Sequence, residues 1–129
     1  MGSRLVGYGS YLPEKIMTNQ DFEKFMDTTD EWITQRTGMK VRHFAREEET
    51  VADMATIAAQ RALENANLTI DDIDMIVVAT TTPELDFPSV CVQVQGRLGG
   101  QNKVPALDVR RACSGHIYAL PCSPAFFTA

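Results

Sequence analysis

The run MIVVATTT at residues 75–82 constrains this chain most. Five apolar residues open it, Ile76, Val77 and Val78 among them β-branched, and no polar face interrupts them. A run of that length and type reads as a strand covered on both sides. Ahead of it, Thr50 and Asp53 have the spacing of a capping box. Behind that cap Val51, Met54, Ala55, Ala58, Ala62, Leu63 and Ala66 recur at helical intervals, giving an amphipathic helix whose small-residue face suits close packing on a sheet. After the run, VCVQVQGRL alternates in a way that also suits a strand. We read it as a helix because Ser89 stands at its N-cap position and Gly99-Gly100 stand where it ends. VPALDV is the next short strand, and it leads straight to Cys113. Helix, buried strand, helix, strand and helix start, in that order, predict an α/β fold: a mostly parallel sheet with helices on its faces.

The front of the chain follows a shorter rhythm. RLVGYGSYLP opens as a glycine-containing strand. Thr18 with Asp21 caps a short helix over DFEKFM, and Thr28 with Glu31 repeats the device before DEWITQRT, which Gly38 ends. MKVRHFA reads as a strand with Val41 and His43 on one face, Arg42 and Phe44 on the other. No internal repeat, low-complexity run or linker divides residues 1–129, so a single domain is expected.

Twelve basic against 17 acidic residues give a net charge of −5, which argues against nucleic acid or an anionic membrane as the main partner. No segment approaches the roughly 18 to 20 apolar residues that span a bilayer. The first ten residues fit neither a secretory signal nor a transit peptide. Three cysteines, Cys91, Cys113 and Cys122, show no disulfide-framework spacing, so a reducing cytoplasm is the expected compartment. Cys113, His116 and Cys122 lack the spacing of a metal finger, and no metal is expected.

Cys113 sits where a parallel α/β sheet gathers its working residues, at the carboxyl end of a strand. A thiol at a strand-to-helix turn faces free helix N–H groups, which favour the thiolate, and the small Ser114 and Gly115 leave room for a substrate. The competing reading is a small buried hydrophobe, the commoner fate of a cysteine.

ETVADMA, VVATTTP, FPS, ALDV and ACSG with IYAL, preceded by GSYLPE, TNQDFEK and DTTDEWITQRTGMKVRH, resemble the amino-terminal part of β-ketoacyl-acyl-carrier-protein synthase III, a thiolase-fold condensing enzyme that starts fatty-acid synthesis. The resemblance runs from about Arg4 to Leu120. It implies the amino-terminal part of a thiolase-like fold, truncated, and a nucleophile at Cys113 that takes an acyl group from acyl-coenzyme A as a thioester. Malonyl-acyl-carrier protein then loses carbon dioxide, and its carbanion attacks that thioester. The chemistry needs a sulfur that is both nucleophile and leaving group. Coenzyme A thioester enters as substrate, with no permanently bound cofactor. The resemblance also implies that Trp32 stacks the adenine, that Arg36 helps hold its phosphate end, and that Thr28 hydrogen-bonds the nucleotide. Thr28 is thus claimed twice, as cap and as ligand. Phe87 matches a residue that reaches across a homodimer interface to shape the neighbour's acyl pocket, against a plain reading as core packing.

The family's partner histidine and asparagine lie downstream of the region this chain matches. His43 reads as structural, and His116 as a packing replacement, with a local Cys113–His116 pair as the alternative. Arg110 and Arg111 are an unusual charged approach to the cysteine, costly if buried. Pro121 and Pro124 end the helix after Cys113, since a proline inside a helix costs about 3 kcal/mol. Residues 121–129 form a divergent tail, expected to belong to a truncated product. The functional expectation is therefore an acyltransferase whose chain alone is incomplete for condensation. The alternatives are a noncatalytic fragment or assembly subunit, and a related condensing enzyme of secondary metabolism.

Overall fold

A computed structural model of the chain describes residues 4–100 and 104–127. Two compact units emerge: one takes the chain up to Tyr11 and from Thr50 onward, the other is Leu12–Glu49.

In the Leu12–Glu49 unit, strands β1 (Lys15–Thr18) and β2 (Val41–Phe44) pair antiparallel, with Ile16 opposite His43 and Thr18 opposite Val41. Thr18 ends β1 and caps α1 (Asn19–Glu23). Its hydroxyl accepts from the Asp21 N–H, while the Asp21 carboxylate accepts from the Thr18 N–H at 2.8 Å. The helix starts two residues ahead of the DFEKFM reading because the cap places Asn19 and Gln20 in its first turn. Helix α2 (Asp30–Thr37) spans DEWITQRT and stops at Gly38, whose φ of 71° is left-handed. On β2 the alternation holds. Arg42 and Phe44 both meet Phe22, with the guanidinium carbon 4.9 Å and the Phe44 ring 6.1 Å from its ring centroid. His43 Nδ1 lies 2.6 Å from the Pro13 carbonyl oxygen, a structural contact.

The other unit is built on α3 (Val51–Ala66), capped by the Thr50–Asp53 box. Strands β3 (Ile76–Ala79) and β4 (Ala106–Val109) pair in parallel, Ile76 beside Ala106 and Ala79 beside Val109. Between them runs α4 (Val90–Arg97), a helix as the Ser89 and Gly99 signals predict, with Gly99 at φ 83° just beyond its end. Ala52, Val90 and Val94 form the buried core, and Val51, Ala55, Ala59, Val78 and Leu98 pack on it. Strand β3 is half-buried rather than fully covered, since one neighbouring strand and the flanking helices shield it only in part.

RLVGYGSYLP is not a strand: Arg4–Pro13 forms no ladder among the described residues. Its glycines serve helix packing instead. A Cβ on Gly7 would stand 2.6 Å from the Ala62 carbonyl oxygen, and one on Gly9 would overlap the α3 backbone at Ala58 and Ala62. The small face of α3 therefore lets an extended segment lie against it, pinned where Tyr8 N–H donates to Asn65 Oδ1 and Arg61 donates to the Ser10 carbonyl.

After β4 come a turn and α5 (Gly115–Ala119), then α6 (Cys122–Phe127). The prolines do interrupt α5, but Pro124 sits in the first turn of α6, where its missing N–H has no helical partner to lose. Helix α5 thus ends ahead of Pro121, as the prolines predict, and Cys122–Phe127 form a separate short helix. Thr128 and Ala129 lie outside the described residues.

Candidate functional site

Strand β4 carries the chain to Cys113, and its end is fixed by a contact the sequence reading did not supply. The Asp108 carboxylate accepts from the Cys91 N–H at 2.8 Å and from the Val90 N–H at 3.0 Å, closing the first turn of α4. Ser89 occupies the cap position without capping; its hydroxyl faces Cys91 Sγ at 3.2 Å. Just beyond, residues 112–114 turn tightly, with the Gly115 N–H donating to the Ala112 carbonyl at 2.9 Å. Gly115 is buried against β3, where an added Cβ would meet the Ala79 Cβ at 3.2 Å. Cys113 is an exposed free thiol on this turn. The buried-hydrophobe reading thus fails for Cys113 and holds for Cys91, which is fully buried. Burial first, then the neighbouring Asp108, push the Cys91 thiol up to about 11.

Both arginines ahead of Cys113 are exposed, so the desolvation cost expected of a buried charge pair does not arise. Arg110 pairs with Asp86 at 3.2 Å, and the Arg111 guanidinium lies 5.1 Å from the Tyr118 ring centroid. His116 is exposed on α5. Among the described residues no group of three or more side chains is placed to hold a metal ion. Phe87 is 89% exposed, so it takes no part in the core of this chain.

The residues matched to nucleotide recognition lie in the Leu12–Glu49 unit, on and around α2. Thr29, not Thr28, caps this helix: its hydroxyl accepts from the Trp32 N–H at 3.1 Å. The predicted Thr28–Glu31 box is displaced by one residue, and Glu31 instead accepts from Gln35 Nε2 at 3.0 Å. That correction removes the double claim on Thr28. Its hydroxyl oxygen is buried and finds no hydrogen-bond partner among the described residues. It lines a cavity of about 200 Å³ together with Phe22, Met26, Trp32, Ile33, Thr37 and Arg42. Trp32 is 53% exposed, and the Arg36 guanidinium lies 4.8 Å from the centroid of its ring. An indole face, a stacked guanidinium and an unpartnered hydroxyl together offer stacking, charge and one hydrogen bond to a planar anionic ligand.

Comparison with known proteins agrees with the fold. No family model matches the chain. It is 52% identical over 124 residues to β-ketoacyl-[acyl-carrier-protein] synthase III of Thiobacillus denitrificans, covering 96% of this chain and 39% of that protein. The crystal structure of 3-oxoacyl-[acyl-carrier-protein] synthase III from Aquifex aeolicus superposes with a TM-score of 0.91 at 49% identity, over 97% of this chain and 40% of that one. The priming β-ketosynthase of the R1128 polyketide biosynthetic pathway superposes at 0.86 with 37% identity, over 91% of this chain and 35% of that one. The chain spans about two-fifths of the length of the relatives it matches. In sequence and in thiolase-like fold alike, it corresponds to the amino-terminal portion of β-ketoacyl-[acyl-carrier-protein] synthase III.

Proposed function

We propose that this chain supplies the acyl-accepting half of a condensing acyltransferase of fatty-acid initiation, with Cys113 as the residue acylated. The exposed Cys113 thiol on the turn between β4 and α5 carries the reading. In the first half-reaction Cys113 Sγ attacks the thioester carbonyl of an acyl-coenzyme A. The S–C bond to coenzyme A breaks, its thiol leaves with the proton, and a new thioester forms on Cys113. Thr28, Trp32 and Arg36 hold the nucleotide end of the donor, an assignment supported by the unpartnered Thr28 hydroxyl and the Arg36–Trp32 stack.

The second half, decarboxylative condensation with malonyl-acyl-carrier protein, is assigned to a protein of the relatives' full length. It requires polar groups that stabilise charge on the thioester oxygen, and the part of the family matched here does not provide them. In that full-length setting Phe87 serves a homodimer interface and the neighbour's acyl pocket, consistent with its exposure here. We assign the protein to the cytoplasm; among the described residues no helix is long and apolar enough to cross a membrane.

Intact-mass measurement after incubation with acetyl-coenzyme A tests the reading. A single acetyl adduct that disappears in Cys113→Ala supports it. Absence of an adduct across the working pH range leaves a noncatalytic portion.

A further inference from the structure

One fully buried polar side chain in the Leu12–Glu49 unit joins elements that no cap connects. Asn19 is 0% exposed, and both ends of its amide are engaged. Its Oδ1 accepts from Arg42 Nη1 on β2 at 2.8 Å. Its Nδ2 donates to Asp30 Oδ1 at the start of α2 at 2.7 Å and to the Met39 carbonyl in the α2–β2 turn at 2.8 Å, with Thr34 Oγ1 at 3.4 Å. The amide has one workable orientation. Reversed, its oxygen would face the Asp30 carboxylate and the Met39 carbonyl, and its NH₂ would face a guanidinium. The Asn19 hydrogen bond is also the largest cause holding the Asp30 carboxyl below its ordinary range.

Arg42 is the residue this junction fixes. Held at Nη1 by Asn19 and lying over the Phe22 ring, it lines the same cavity as Thr28 and Trp32. A guanidinium carries five N–H donors in a rigid fork, so anchoring one nitrogen fixes the direction of the rest. Asp30 and Thr34, the α2 contacts of Asn19, flank Trp32 on its own helix.

We propose that Asn19 is a positioning residue: it seats α2 and holds Arg42 in the wall of the Thr28–Trp32 cavity, preorganising that largely apolar cavity for the aromatic end of its ligand. The proposal rests on the nucleotide reading of the cavity and adds the two residues that set its shape. Preorganisation of this kind raises affinity by removing the cost of ordering the site on binding.

Trp32 is the only tryptophan in the chain, so intrinsic fluorescence reports the cavity directly. The test uses the 129-residue chain with Asn19→Asp and Arg42→Lys, folding being checked by far-UV circular dichroism. Asn19→Asp keeps the side chain's size and its acceptor for Arg42 but loses both donors and faces the Asp30 carboxylate. Arg42→Lys keeps the charge and loses the planar fork. Both variants are expected to shift the ligand-free Trp32 emission and to bind coenzyme A roughly tenfold more weakly.

Wild-type emission and wild-type affinity in folded Arg42→Lys overturn the proposal. So does a lower Tm with unchanged emission and Kd, the pattern of a merely structural role. Should Asn19→Asp fail to fold, Arg42→Lys decides alone. If coenzyme A does not quench the wild-type chain, the nucleotide reading fails, and the ligand-free emission separately decides the positioning: a shift supports it, and no shift overturns it.

Discussion

Replacing Asp108 should destabilise this chain more than replacing the serine that looks like the helix cap. In Asp108→Ala the N–H groups of Val90 and Cys91 both lose their acceptor, and both residues are fully buried. A buried donor left unpaired costs about 1–3 kcal/mol, so the pair amounts to about 2–6 kcal/mol. That is a large share of the about 5–15 kcal/mol that holds a domain folded. Asp108→Asn retains one oxygen acceptor and should lose about 1–3 kcal/mol. Ser89→Ala removes a hydroxyl that makes no cap bond and should stay within about 0.5 kcal/mol of wild type, instead of the about 1 kcal/mol typical of a true N-cap. Urea unfolding followed by circular dichroism gives the comparison, with the midpoint shifting at constant slope. A Ser89→Ala loss equal to or above that of Asp108→Ala would refute the assignment of Asp108 as the clamp on α4.

Three further outcomes follow from the geometry. Iodoacetamide should modify Cys113 in the native protein well before Cys91, which is buried with its thiol pushed up to about 11; peptide mapping that finds Cys91 labelled first contradicts the burial pattern. Gly9→Ala should cost about 1–3 kcal/mol by overpacking on α3, whereas Gly96→Ala, inside α4 with open space at its Cβ position, should gain about 0.5–1 kcal/mol; thermal melts check both signs. The Asp53 carboxyl is held below its ordinary 3.8 by the Thr50 hydroxyl, then the Thr50 N–H, with a smaller contribution from Arg97. Its folded pKa being depressed, its stabilisation is complete above pH about 4 and is lost as pH falls through the folded value. Thr50→Val should therefore move the acid-unfolding midpoint to higher pH, and an unmoved midpoint counts against it.

Local chemistry was legible in the sequence because a few neighbouring residues decide it. The Thr18–Asp21 and Thr50–Asp53 boxes, the Gly38 stop and the bounds of α2 follow from spacings of four residues or fewer. One local miss, Thr29 capping in place of Thr28, is a slip between adjacent hydroxyls that only the backbone settles, and it freed Thr28 for the cavity. Long-range facts were not legible. A strand requires a partner, so the Arg4–Pro13 segment, extended and glycine-bearing, gave no sign that it would lie on a helix instead. Asp108 reads as one polar residue in a short strand, yet it closes a helix 17 residues earlier. Asn19 falls outside the helix read over DFEKFM, and nothing local shows that four contacts converge on it. For the candidate site, Cys113, Trp32 and Arg36 came from motif, whereas Arg42 emerged only as a cavity wall.

The central claim joins an acyl-accepting cysteine to a nucleotide-recognising unit in one chain. Its most direct test is the rate at which Cys113 is acetylated by acetyl-coenzyme A and by acetyl-pantetheine, the same thioester without the nucleotide, followed by intact mass. The account predicts faster acetylation by the nucleotide-bearing donor and loss of that advantage in Trp32→Ala. Equal rates from the two donors, or an advantage that survives Trp32→Ala, would contradict it.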